Sequence, residues 1–389
     1  MKSHWNLDPT VTFLNHGSFG ACPRAVLDEQ SRLRTQMEAE PLRFFVREAP
    51  PLLVAAREAF AKFLGCDQDE LALVPNATTG VNAVVRSLDL RPGDEILVTD
   101  QEYNACRNIV DFVATRRGAV VIVAEIPFPI RGADLVRDRV MECVTKRTRL
   151  VLLDLVTSQT GLVMPAHELA RELVARDIDV LIDGAHAPGM VPLDLSQWPG
   201  VFFTGNAHKW ICAPKGAAFL RVPKSRQDEI RPPVISHGAN APTDQRTRFR
   251  HEFDWCGTSD PTAWLCIPKA IETMASMVPG GWPEVMKRNH DLVTRGRDLI
   301  CDALEIAPPA PNDMLGSLAS IPLPDRQDGV PRSAFDTDPI QDALLHDFGI
   351  EVPIMPWPGP QNRLLRISAQ LYNELADYED LAKALHGFT

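Results

Sequence analysis

The chain has no cysteine pair at C-x-x-C spacing, no apolar run near the roughly 20 residues of a bilayer span, and no excess of positive charge. Each absence excludes something. The eight cysteines (Cys22, Cys66, Cys106, Cys143, Cys212, Cys256, Cys266 and Cys301) are scattered, which fits a reduced thiol set and not a disulfide framework or zinc site. A net charge of -11 argues against a general nucleic-acid or anionic-membrane surface. The start, Met1-Lys2-Ser3-His4-Trp5-Asn6, lacks the apolar core of a secretory signal, so a soluble cytoplasmic protein is expected. No internal repeat is evident. What is present is a chain of 389 residues, 45% hydrophobic and 23% charged, of a length suited to two domains.

Apolar β-branched runs alternate with helical patterns from about residue 50 to 225. Helical periodicity marks residues 52–64, 79–88, 104–117 and 165–176. Strand candidates are 70–74, 95–99, 119–124, 150–155, 179–183, 201–204 and 217–222. Short, near-continuously apolar strands separated by helices indicate a mostly parallel sheet buried on both faces. Such sheets bind ligands outside the carboxyl ends of their strands, so chemistry is expected in the loops there. Residues 223–260 read as irregular and polar, 260–300 as a long helical stretch and 307–324 as Pro-rich. Beyond them, strands are expected at 318–321, 350–353 and 364–368, and helices at 339–347 and 373–386. The predicted fold class is α/β. A large domain over 15–262 carries a mostly parallel seven-stranded sheet between helices, and a smaller α+β domain covers 263–389 with residues 1–14.

Five segments at these strand ends carry chemistry. Lys209 follows a buried strand in Thr204-Gly205-Asn206-Ala207-His208-Lys209-Trp210. A lysine that forms an imine must be partly desolvated, because its neutral amine is the nucleophile, and Trp210, Ile211 and Ala213 offer that setting. Taken alone, it reads as a surface lysine at a strand end. Asp183 closes another buried strand in Val180-Leu181-Ile182-Asp183-Gly184-Ala185-His186, where an acid is costly unless paired. The pyridine nitrogen of pyridoxal phosphate (PLP) is such a partner: the carboxylate keeps the ring protonated, and the ring accepts electrons from a substrate carbanion. The alternatives are a helix cap or a metal site of Asp183, His186 and His208. The metal site lacks a convincing fourth ligand, so no metal is expected.

Pro75-Asn76-Ala77-Thr78-Thr79-Gly80-Val81-Asn82 is a strand end followed by a small-residue turn that opens a helix. Its backbone N–H groups, the helix dipole and the hydroxyls of Thr78 and Thr79 suit one phosphate about as well as an ordinary cap. It matches neither Walker A nor the dinucleotide glycine pattern. Tyr103, in Gln101-Glu102-Tyr103-Asn104, either covers one face of a planar ring or packs on the following helix. Arg366, in Leu365-Arg366-Ile367-Ser368, either grips an α-carboxylate bidentately or makes an interdomain salt bridge. Each signal alone is modest; their order and spacing make the set specific.

Together with Asn15-His16-Gly17-Ser18-Phe19-Gly20, these motifs resemble class V aminotransferase-fold PLP enzymes of fold type I. Within them the likeness is to the isopenicillin N epimerase-like branch, to which Pro41-Leu42-Arg43-Phe44-Phe45-Val46-Arg47-Glu48 is also similar. It spans nearly the whole chain. The resemblance implies PLP as cofactor, with Lys209 as its Schiff-base lysine and Asp183 on the pyridine nitrogen. Tyr103 takes the stacking position, where many class V members carry histidine, and His186 lies near the phenolic oxygen. Thr78, Thr79 and His208 bind phosphate; Ser158 or Gln159 faces the cofactor; Thr258 reaches a phosphate across a dimer interface. Arg366, with Arg47 and Asn15, holds the substrate carboxylate, and a homodimer with sites between subunits is implied.

One departure narrows the activity. Cysteine desulfurases of class V need a nucleophilic cysteine ahead of the carboxylate-binding arginine, and no cysteine occurs between Asp302 and Thr389. The expected reaction is Cα deprotonation of an amino-acid-type small molecule followed by reprotonation, with Tyr103 as the acid on the face away from Lys209. The alternatives are β-lyase (C–S lyase) chemistry, transamination and, outside catalysis, a PLP-free binding protein. Residues 225–260 and 310–362 are expected to shape the pocket, with Trp255, Trp357 and Arg250 as candidate wall residues.

Overall fold

A computed structural model describes residues 1–243, 246–326 and 336–388. The apolar runs assemble into one seven-stranded sheet: β1 (Leu71–Val74), β2 (Glu95–Thr99), β3 (Val120–Ala124), β4 (Thr148–Asp154), β5 (Asp179–Asp183), β6 (Phe202–Asn206) and β7 (Ala218–Arg221). Their spatial order is β1-β7-β6-β5-β4-β2-β3. All run parallel except β7, which is antiparallel to both β1 and β6. Strands β1, β2, β6 and β7 are buried at every residue, as expected where helices cover both faces.

The pleat divides the apolar side chains between two layers. Leu71, Leu73, Leu97, Val151, Leu153, Val180 and Ile182 point to one face, against α1 (Arg24–Ala39), α2 (Ala49–Leu64), α5 (Ala133–Glu142) and α6 (Ala166–Val174). Ala72, Val74, Ile96, Val98, Leu150, Leu152 and Leu181 point to the other, against α3 (Ala77–Ser87) and α4 (Asn104–Arg117). Helix α3 lies close on β6: a Cβ at Gly80 would stand 2.2 Å from Thr204 Oγ1. That approach brings the opening turn of α3 beside the carboxyl ends of β5 and β6.

The C-terminal region holds a three-stranded antiparallel sheet, β8 (Leu318–Leu323), β9 (Ile354–Met355) and β10 (Arg363–Ser368), in the order β9-β10-β8. It packs with α7 (Trp282–Ala303), and α8 (Pro339–Phe348) and α9 (Leu375–Leu385) complete the region. Pro322 is tolerated because β8 is an edge strand. Among the described residues no helix is long and apolar enough to cross a membrane.

Three expectations change. The helical stretch at 260–300 is broken into Thr262–Leu265, Ile267–Ser276 and α7, with a turn at Pro279-Gly280-Gly281. The strand expected at 350–353 is only Ile350–Glu351, and it pairs in parallel with Thr12–Phe13, tying the start of the chain to the C-terminal region. The irregular stretch at 223–260 contains the helix Arg248–Asp254. Within the stretches expected to shape the pocket, residues 244–245 and 327–335 lie outside the described residues.

Candidate active site

A cavity of 370 Å³ opens at the carboxyl ends of the central strands, a size typical of small-molecule sites. Asp154 closes β4, Asp183 closes β5, and Lys209 follows β6 by three residues. All three line it, with Ser18, Thr78, Tyr103, Ser158, His186 and His208.

The Lys209 amine lies 2.9 Å from His186 Nε2. Burial, helped by the nearby Arg366 guanidinium, pushes its pKa down to about 7, against the pull of Asp183 and Asp154. A large fraction of the amine is therefore neutral near pH 7. The backbone of Lys209 is pinned from behind. His16 Nδ1 faces the donors Tyr372 O–H (2.8 Å) and Ala21 N–H (3.3 Å), so its proton sits on Nε2 and is donated to Lys209 O at 3.0 Å. Gly20 closes this loop at φ +72°, where a Cβ would stand 2.3 Å from His208 O.

Asp183 is 2% exposed. Its Oδ1 accepts the Ala185 N–H at 2.9 Å and its Oδ2 accepts the Cys106 thiol at 3.2 Å. Burial raises its pKa, and these two bonds and Lys209 oppose the rise. Two more buried acids stand close by. Among the described residues, both carboxylate oxygens of Glu102 and Oδ2 of Asp154 have no hydrogen-bond partner, and burial raises both pKa values well above the ordinary range. Glu102, Cys106 and Asp183 approach within 4.8 Å, but burial drives the thiol pKa far up, so Cys106 is an S–H donor and not a thiolate ligand.

Arg366 is buried and, among the described residues, has no carboxylate partner. Its Nη1 donates to Ser158 O (2.5 Å) and Ser158 Oγ (3.4 Å), and its Nη2 donates to Ser18 Oγ (2.9 Å). Burial lowers its pKa to about 10, which leaves it charged. Ser18 O–H donates to Asn15 Oδ1 at 2.6 Å, and Asn15 Nδ2 donates to Glu351 Oε1 at 3.1 Å. Asn15 thus reaches Arg366 through Ser18.

Thr78 faces the cavity. Thr79 has its N–H and hydroxyl bonded to Asn76 Oδ1 (2.8 and 3.0 Å), the N-cap of α3, and lines a different cavity with Thr78 at the border. His208 donates Nδ1–H to Ala217 O at 2.9 Å, and burial lowers its pKa to about 4. Its Nε2 is therefore an acceptor until an anion draws a proton onto it. Tyr103 stands half-exposed at the start of α4, its phenol pKa raised by burial.

Some expected residues are not brought together here. Thr258 and Trp255 line the second cavity, which at 820 Å³ is larger but contains none of Lys209, Asp183, His186 and Arg366. Arg47 is exposed on the π-helical turn Phe44–Glu48. The Gln159 carbonyl accepts Ser320 O–H, and its Oε1 is buried without a partner. Trp357 packs on Phe128, and Arg250 is tied to the carbonyls of Leu71 and Gln68. Sequence reasoning passed over His16, Ser18, Glu102, Cys106 and Asp154. Asp154 carried the signal that singled out Asp183, an acid ending an apolar run.

The site fits PLP on its own chemistry. A buried carboxylate with only a weak thiol on Oδ2 suits a protonated ring nitrogen, a desolvated amine suits an aldehyde, and an unpaired buried guanidinium suits a carboxylate. The fold and the site define a fold type I PLP-dependent enzyme, and the cofactor is PLP.

The chain belongs to the aminotransferase class V family, whose model matches residues 18–325. It is 36% identical over 395 residues to isopenicillin N epimerase of Amycolatopsis lactamdurans, covering 98% of this chain and 96% of that one. It is 30% identical over 404 residues to a probable chloroplastic L-cysteine desulfhydrase of Arabidopsis thaliana, covering 98% and 83%. A solved mutant of C-DES with glycine covalently linked to its PLP cofactor has a TM-score of 0.80 at 22% identity, covering 99% of this chain and 98% of that one. At that identity the likeness is one of fold.

Proposed function

We propose that this enzyme inverts the α-carbon of an amino-acid-type small molecule, with Lys209, Asp183 and Tyr103 as its catalytic residues. The observation that carries this reading is the pairing of a near-neutral Lys209 amine with a charged, buried Arg366 that has no carboxylate of its own. Together they recognise the amino and carboxylate ends of one substrate. Arg366, held by Ser18 and Ser158, grips the carboxylate without having to reorganise. Among the residues that line the cavity, Asp183 would pair with the cofactor's ring nitrogen, Thr78 and His208 would hold its phosphate, and His186 would serve its phenolic oxygen. When bound, PLP supplies an electron sink for the charge left at Cα. Lys209 Nζ takes the Cα proton, and the Tyr103 hydroxyl returns one from the other side. The identity to the epimerase supports this outcome over elimination.

A C–S lyase remains the second reading, supported by the desulfhydrase relatives, because elimination needs only Lys209 and a substrate with a leaving group at Cβ. The free cysteines support a reducing, cytoplasmic setting. The separate sheets of the two regions support domains at 15–262 and at 263–389 with 1–14.

The purified protein is expected to be yellow and to bleach with borohydride, leaving the reduced adduct on Lys209 by mass spectrometry. A preparation that stays colourless with added PLP would overturn the reading. In deuterated water, a panel of amino acids and amino-acid derivatives should yield an inverted product with deuterium at Cα. Release of pyruvate or sulfide instead would establish the lyase. Tyr103→Phe should lower inversion by roughly 100-fold or more, the usual contribution of a general acid, while exchange through Lys209 persists. Full inversion in that variant would remove Tyr103 from the mechanism.

A further inference from the structure

Trp210 is fully buried next to Lys209 and does not touch the cavity. Its ring lies against His16 at 4.9 Å between centroids, and a Cβ at Gly189 would stand 2.8 Å from its backbone carbon. The indole is fixed in place, and its Nε1–H donates to His186 Nδ1 at 3.3 Å. An indole nitrogen only donates, so His186 Nδ1 must be an acceptor. The opposite tautomer would set two N–H groups against each other. A doubly protonated ring is disfavoured too: burial comes first, with the cations Lys209 and Arg366 adding to it, and both hold the imidazole well below its ordinary pKa. The remaining proton therefore sits on Nε2, 2.9 Å from Lys209 Nζ. An N–H there can bond only to an amine that offers its lone pair.

We propose that Trp210 is a positioning residue that locks His186 as the Nε2–H tautomer and, through it, holds Lys209 as a neutral, nucleophilic amine. The assignment rests on Lys209 being the cofactor-binding lysine. The lone pair that accepts from His186 is the one that must attack the cofactor's aldehyde carbon, after which both amine protons leave with the aldehyde oxygen as water. Once that lone pair is used, the His186 N–H keeps its direction and is free to donate elsewhere in the site. The other charged or titratable groups facing Lys209 are Arg366 from β10, Asp183 from β5, Asp154 from β4, Cys106 from α4, His16 behind its backbone and the adjacent His208. None of them bonds to Nζ, so His186 is the group whose tautomer the lysine senses directly.

The test follows the capture of PLP by the full-length chain after cofactor removal, recording the growth of colour by stopped flow from pH 5.5 to 9.5. The wild-type rate should rise with a midpoint near pH 7. Trp210→Phe keeps the ring but lacks the N–H, so His186 can turn its lone pair to the lysine and favour the ammonium. The midpoint should rise by about one unit, and capture at pH 7 should slow roughly fivefold. An unchanged midpoint in a folded Trp210→Phe protein overturns the proposal. A second measurement needs no Trp210 variant. Nitrogen-15 NMR of histidine-labelled, cofactor-free wild type, with the signal assigned by its loss in His186→Gln, should show His186 as the Nε2–H tautomer. An Nδ1–H or imidazolium signal overturns the proposal even if Trp210→Phe fails to fold. Absence of colour in wild type is a different failure, since it removes the cofactor reading itself and this assignment with it.

Discussion

Among the described residues neither buried carboxylate oxygen of Glu102 has a hydrogen-bond partner, and Oδ2 of Asp154 beside it lacks one too. The folded pKa of each is raised above its unfolded value, so its stabilising contribution is full below about pH 4 and is lost as pH climbs toward the folded value. The cofactor-free chain should therefore lose thermal stability as pH rises above the ordinary carboxylate range. Glu102→Gln, isosteric and unable to ionise, should flatten that decline by up to about 1.4 kcal/mol per pH unit. Calorimetry across the range would show it, and parallel slopes in the two proteins would mean that Glu102 ionises freely. Lys209 and Asp183 were legible in the sequence because a charged group closing an apolar run needs a reason to be there. Glu102 was hidden in a polar quartet, where the eye goes to Tyr103. Its burial depends on how α4 starts over the end of β2, which no local pattern reports. The bond from Asn15 to Glu351 was hidden for the same reason: the two residues lie far apart in sequence.

At the level of elements, the close seating of α3 on β6 controls where Thr78 stands. Gly80→Ala puts a methyl carbon onto the Thr204 side chain, an overpacking that costs about 1–3 kcal/mol. Urea unfolding should show that loss, and PLP titration should show weaker binding, since the displaced turn carries Thr78, which we propose holds the phosphate. Unchanged affinity together with lost stability would separate the turn from the phosphate. All seven sheet strands were legible within a residue or two, because strands buried on both faces are apolar at almost every position. Helix α1 was not: only Val26, Gln30, Leu33 and Met37 face inward from sixteen residues, and the rest is solvated. Strand β9, two residues long, carries too few positions to show any period.

For the whole molecule, we propose that a second copy of the chain packs against the 820 Å³ cavity, where exposed Leu42 and Val46 flank its lining residue Phe45 in sequence. Thr258 would then serve the neighbouring site, in keeping with its place in a cavity whose lining includes neither Lys209 nor Asp183. Light scattering should give twice the mass of one chain. Leu42→Asp with Val46→Asp should yield monomers that retain PLP poorly, and a monomeric wild type with full activity would dismiss the arrangement. A single sequence says which residues are apolar, but not which of them meet another copy.

The contacts that fix Lys209 and Arg366 also bear on when the site can exist. His16 bonds to Tyr372 across 356 residues while holding the Lys209 carbonyl, and Ser18 bonds to Arg366 across 348. A chain still emerging from the ribosome has its lysine long before it has Arg366 or Tyr372. The large sheet can form early, yet its reactive amine stays unclamped until the last strand and helix are released. Recognition of a carboxylate is thereby deferred to the finished polypeptide, because a chain truncated before Arg366 would have the lysine but lack the guanidinium that Ser18 and Ser158 hold.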